Sequence, residues 1–222
     1  MRKSFVCSFI ILIFVFLLSA SGCSSSGTKS EEPPVYSPLQ VLVPEAPGKE
    51  ILGSSPLTLD ISNITQGYLT AVSDSQDQKM NVQLTDENGT VYSDFISPGE
   101  SAVIPFSSGS GNYQICCYQQ IDGTQYAALF ANTLEVSLEN EFLPFLYPNQ
   151  YVNFSPESEA SKLALSMVSE DTSDVDALQA IYDYVTENLT YDYDLADTVE
   201  SGYLPDVDAT LESKKGICFD YA

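Results

Sequence analysis

Between Leu57 and Leu138 apolar and polar residues alternate in short runs, and each run ends at a turn-forming residue. Leu57-Thr58-Leu59-Asp60-Ile61, Tyr68-Leu69-Thr70-Ala71-Val72 and Met80-Asn81-Val82-Gln83-Leu84 all repeat with period two. That period puts every second side chain on one face of a strand, so each run predicts a strand with one apolar face. Val91 to Ile96, Ala102 to Phe106, Tyr113 to Gln119 and Tyr126 to Phe130 extend the set to about seven or eight strands. Asn88-Gly89 and Asp122-Gly123 stand between such runs and supply the positive φ that tight hairpins need. After Phe154 the period lengthens. Ser155-Pro156-Glu157 reads as a helix start, with a hydroxyl cap, a proline in the first turn and an acid at the positive end. Ala160, Leu163, Ala164, Met167 and Val168 follow at spacings of three and four. A second start at Ser173, with Asp174 and Asp176, precedes Leu178, Ile181, Tyr182, Val185 and Leu189 on one face. These two helices need a partner surface that little else in the chain provides.

The pattern predicts an α+β chain in two bodies. Residues 54–140 read as an antiparallel β-sandwich of immunoglobulin-like kind, because turn signals recur every eight to twelve residues, as that architecture requires. Residues 155–222 read as the start of a helical domain. Between them, residues 141–154 hold Phe142, Phe145, Tyr147, Tyr151 and Phe154. So many aromatics predict a segment packed between the bodies rather than a free linker.

The amino-terminal end changes the picture from fold to location. Arg2 and Lys3 precede an apolar run from Phe5 to Leu18 and a small-residue exit, Ser19-Ala20-Ser21-Gly22, before Cys23. The run has signal-peptide proportions and falls short of the ~20 residues that span a bilayer. Residues 1–22 are therefore read as a signal peptide. The Ala20-Ser21-Gly22-Cys23 ending resembles the lipobox of bacterial lipoproteins, with Ala20 where leucine is commoner, and implies lipid on Cys23. Residues 23–53, rich in Ser, Pro, Glu and Gly, read as a flexible tether. From Cys23 onward six lysines face 31 carboxylates, a formal charge of −25. Such a surface repels a phosphate backbone, so nucleic acid is excluded as a partner.

Three further cysteines lie in the predicted folded part: the neighbours Cys116 and Cys117, and Cys218. Adjacent strand residues point to opposite faces, so one of the pair is expected in the core and the other outside it. No spacing indicates a metal site, and no cofactor is expected.

Two motifs carry a family resemblance. One is the run from Ala177 to Asp192, closing on Leu189-Thr190-Tyr191-Asp192; the other is Lys215-Gly216-Ile217-Cys218-Phe219-Asp220-Tyr221-Ala222. Together they resemble the start of a bacterial transglutaminase-like domain over roughly Tyr151 to Ala222. The resemblance implies a papain-like core and a Cys, His, Asp triad acting on amides by acyl transfer, with Cys218 as nucleophile. Physical chemistry points the same way: a helix amino terminus at the cysteine favours thiolate, Lys214 and Lys215 add cations, and Gly216 permits a sharp turn. Asp220 is expected to make a structural hydrogen bond rather than serve as the triad acid.

The chain holds no histidine. In the family the base and the acid follow the cysteine, so this 222-residue chain is expected to be an inactive fragment of a longer product. The functional expectation is an exported, lipid-anchored protein of the cell envelope whose family reaction is Cys-dependent transfer or hydrolysis at peptide amides. Its partners would be the membrane, through Cys23, a peptide or protein amide, and a cell-wall component. The alternative is a non-catalytic surface lipoprotein that binds protein or glycan through its β-sandwich.

Overall fold

A computed structural model describes residues 40–169 and 171–221, and the signal segment and Cys23 lie outside them. The chain is α+β. Eight strands come first: β1 (Ile51–Ser54), β2 (Leu57–Asp60), β3 (Tyr68–Ser73), β4 (Met80–Thr85), β5 (Val91–Ile96), β6 (Ser101–Pro105), β7 (Gly111–Asp122) and β8 (Gln125–Val136). The carboxy-terminal part then runs α1 (Glu159–Met167), α2 (Asp174–Asn188), β9 (Thr190–Tyr191), α3 (Tyr193–Thr198), α4 (Val207–Ser213) and β10 (Lys215–Gly216).

The first eight strands form two antiparallel sheets, ordered β1-β2-β3-β6 and β5-β4-β7-β8. Their inner faces meet in one core. Leu57, Leu59, Leu69, Ala71 and Ile104 come from the first sheet, and Met80, Val82, Leu84, Ile115 and Cys117 from the second. These are the alternate positions that the period-two runs mark as apolar, which is why the register follows from the pattern. The Asn88-Gly89 and Asp122-Gly123 turns join β4 to β5 and β7 to β8, and in both the glycine carries the positive φ. Cys117 is in the core and Cys116 is half-buried, as neighbours on a strand should be.

The folded part begins earlier than the expected tether allows. β1 pairs with β2, and the backbone N–H groups of Lys49 and Glu50 donate to Ser62 Oγ. Gly48 N–H donates to Asp60 Oδ2 at 2.6 Å, and Tyr68 Oη accepts from Glu45 N–H at 2.8 Å. The sequence hides this because Pro44 to Gly48 has a spacer's composition, while side chains far along the chain satisfy its backbone. β3 is buried on both faces from Tyr68 to Ala71, while Val72 is exposed. Its outer face is covered by Tyr147, whose ring lies 4.6 Å from that of Tyr68, and Pro144 presses on Gly67 next to it.

The aromatic segment is only partly packed. Pro144 is buried, but Phe142, Phe145 and Leu146 are exposed. The first helix also starts later than expected: its cap is Ser158, whose hydroxyl accepts from Ser161 N–H, while Ser155 O accepts from the Ser158 hydroxyl in the preceding turn. Ser173 caps α2 as the sequence indicates, accepting from Asp176 N–H. The apolar face of α2 stays open, with Leu178 68% and Tyr182 62% exposed. Among the described residues no helix is long and apolar enough to cross a membrane.

Candidate active site

Two short strands assemble the region around Cys218. α2 ends at Leu189, and β9 follows at once; α4 ends at Lys214, and β10 follows at once. Lys214 closes α4 with φ of 56°, a left-handed conformation that costs a non-glycine residue about 1 kcal/mol. This residue, and not Gly216, makes the sharp turn. β9 and β10 then pair in parallel, Thr190 opposite Lys215 and Tyr191 opposite Gly216. Thr190 N–H donates to Lys214 O at 3.0 Å, and Asp192 N–H donates to Gly216 O at 2.9 Å. The two sequence motifs are thereby laid side by side, although 23 residues separate Asp192 from Lys215 in number. Asp192 has a second task as the cap of α3, accepting from Leu195 N–H at 2.9 Å.

Gly216 is small for a different reason from the one the sequence offers. Its φ is not positive; instead, a Cβ there would stand 2.8 Å from Asp220 Cβ and 3.1 Å from Thr210 Cγ2. The crowding comes from a tight turn in which Asp220 reaches back. Asp220 Oδ2 accepts from Ile217 N–H at 2.7 Å, and Asp220 N–H donates to Ile217 O at 3.0 Å. Asp220 Oδ1 accepts from the Tyr203 hydroxyl at 2.7 Å. That bond, and burial after it, push the Tyr203 phenol up to about 12. Asp220 thus fastens the turn to the segment before α4, which is a structural task.

Cys218 occupies the middle of this turn and is exposed, between buried Ile217 and partly exposed Phe219. Its backbone N–H donates to no other described residue. Phe219 packs between two tyrosines, Tyr151 at 6.0 Å and Tyr203 at 6.4 Å between ring centroids. Lys214 and Lys215 are both exposed and form no ion pair among the described residues.

The helices around the turn are tied by a residue that periodicity did not single out. Asp208, in the first turn of α4, accepts from Glu159 N–H and Ala160 N–H at the start of α1, each at 3.1 Å. An Asp capping a helix from 48 residues away leaves no local signature. A groove of about 640 Å³ runs between β6, Pro148 to Pro156 and Leu204-Pro205, but Cys218 is not among the residues lining it.

No curated protein and no solved structure matches this chain. Residues 161–222 match the family model of the transglutaminase-like superfamily, so the segment that runs from within α1 to the Cys218 turn is transglutaminase-like.

Proposed function

We propose that Cys218 is the nucleophile of a Cys-dependent acyl transfer or hydrolysis at peptide amides. The observation that carries this reading is the parallel β9–β10 pair, which delivers Cys218 to an exposed position where its backbone N–H has no partner among the described residues. The thiolate would attack the amide carbon, forming a C–S bond, and the Cys218 N–H would stabilise the oxyanion before the amine leaves. The leaving amine needs a proton from a base-turned-acid, ordinarily histidine, and these 222 residues hold none. In this reading they supply the nucleophile and its frame and do not turn over unaided.

The finer reading of the two sheets is an immunoglobulin-like sandwich. Two features support it: the order β2-β3-β6 against β5-β4-β7-β8, and Tyr113 near the start of β7, whose buried ring sends its hydroxyl back to Gly109 O at 2.8 Å. The second resembles the tyrosine corner of that architecture, although Ile115 stands two residues on, where antibody domains have a cysteine. We further read Cys23 as lipidated and the protein as exported to the outer side of a bacterial membrane, where a peptide, protein or cell-wall amide would be the substrate.

Alkylation by iodoacetamide, followed residue by residue over pH, tests the nucleophile. Cys117 is the internal reference, since burial pushes its thiol up to about 12. Cys218 is expected to be alkylated faster at neutral pH than free cysteine, and a rate at or below that of free cysteine refutes the reading. Metabolic labelling with a radioactive fatty acid, lost in Cys23→Ala, tests the anchor.

A further inference from the structure

Phe219 is the residue immediately after Cys218, and one of the rings that flank it arrives from the aromatic segment rather than from the helices. Tyr151 lies on Phe219 with its ring tilted by 36° at 6.0 Å. The same tyrosine reaches the second sheet, its hydroxyl donating weakly to Ser93 O of β5 at 3.4 Å. Next to it, Gln150 Nε2 donates to Asp94 Oδ1 at 2.6 Å, and Asp94 is buried. The path from sheet to cysteine is therefore short: β5, Tyr151, Phe219, Cys218.

On the other side Tyr203 holds the turn twice, through its ring on Phe219 and its hydroxyl on Asp220. Without Tyr151, Phe219 keeps one aromatic neighbour of two. The turn then pivots on the Tyr203 side alone. Phe219 is 37% exposed, so solvent can enter the space that Tyr151 vacates.

We propose that Tyr151 is a positioning residue for Cys218, making the β-sheet half of the chain one wall of the reactive turn. The proposal rests on Cys218 being the nucleophile. A nucleophile reacts fast only while the turn that carries it holds sulfur and backbone N–H in one geometry, so a loosened turn loses reactivity. The sheets are then part of the chemistry and more than a spacer.

Two readouts on the full chain test this, amide hydrogen exchange and the pH profile of Cys218 alkylation. An aromatic pair of this kind stabilises by about 0.5–1.5 kcal/mol, so Tyr151→Ala should speed exchange at Ile217 and Asp220 about two- to tenfold. Amides of β4 and β7 should exchange as in the wild type. The pH profile of Cys218 alkylation should move to higher pH than in the wild type, and Tyr151→Phe, which keeps the ring on Phe219 and loses only the weak 3.4 Å bond to Ser93 O, should restore both readouts. Unchanged exchange at Ile217 overturns the proposal. So does faster exchange with an unmoved midpoint, since Tyr151 would then only support the fold. Wild-type Cys218 that is alkylated no faster at neutral pH than free cysteine instead overturns the nucleophile, and this proposal with it. Should Tyr151→Ala loosen the whole second sheet, Tyr151→Leu decides: it keeps an apolar side chain against β5 and removes the aromatic pairing with Phe219, leaving the Tyr203–Phe219 contact in place. The same local loosening with a raised midpoint supports the proposal, and wild-type behaviour overturns it.

Discussion

Replacing Gly216 by alanine sets two effects of opposite sign against each other. At an ordinary negative φ, alanine for glycine stabilises a protein by about 0.4–1 kcal/mol through the unfolded chain. Against that stands the close approach: the new Cβ would lie 2.8 Å from Asp220 Cβ and 3.1 Å from Thr210 Cγ2. Carbon atoms rest at ~3.5–4.0 Å, so one neighbour must retreat by about 0.7 Å. Thr210 is buried in α4 and its hydroxyl is bonded to Asp206 O, whereas Asp220 sits on a turn. Asp220 is the one to move. Its bonds to Ile217 N–H and the Tyr203 hydroxyl, both 2.7 Å, would stretch to about 3.4 Å, past the ~3.2 Å limit of a good hydrogen bond. Hydrogen bonds to a charged group are worth ~1.5–3 kcal/mol, and overpacking by itself costs ~1–3 kcal/mol. These are alternative routes of relief, so they do not add, and once the alanine gain is subtracted the net loss should be about 1–2.5 kcal/mol. Native-state hydrogen exchange at Ile217 to Tyr221 should quicken by about five- to seventyfold, while β7 is unaffected. Exchange slower than in the wild type would show that the alanine gain wins, and the crowding argument would fall.

Three further outcomes can be checked. Burial pushes the Asp94 carboxyl above its ordinary 3.8, against the opposing pull of Gln150 and Tyr151 beside it, so the folded state binds its proton more tightly than the unfolded one. That favours folding below the ordinary value and is lost as pH rises through the raised one; Asp94→Asn should therefore melt higher than wild type at pH 7, with the gap closing below pH 3.8 in calorimetry. Tyr113→Phe leaves Gly109 O without its 2.8 Å donor and should lower stability by about 1 kcal/mol, read as a lower urea midpoint at unchanged slope. Tyr203→Phe removes one donor from Asp220 but lets water replace it, so exchange at Ile217 should rise about fivefold, with Gly216→Ala remaining the larger effect.

The strands were legible because their information is local. Alternation in Met80 to Leu84 or Val91 to Ile96 states which face is buried, and the glycine turns state where pairing reverses. Ser173 as a cap was legible for the same reason. What composition concealed was long-range satisfaction of backbone groups. Gly48, Lys49 and Glu50 look like spacer until Asp60 and Ser62 supply acceptors. Ser155 was the better cap by motif, yet Ser158 took the role because Asp208, unknowable from local pattern, already serves the first two N–H groups there. At the site, the two motifs were legible as a family resemblance, which the match over residues 161–222 supports. Their parallel pairing and the Lys214 turn depend on contacts between distant segments, which no window of sequence contains.

The β9–β10 pair also has a bearing on how such a chain can diversify. Both ends of the segment from Tyr193 to Lys214 are held by it, and the exposed Ser201-Gly202 turn lies between. Loop-closure entropy grows only with the logarithm of length, about 0.6 kcal/mol per doubling. Residues inserted at Ser201-Gly202 would cost little and leave the cysteine in register. That stretch is the natural place for new specificity to be grafted without redesigning the frame.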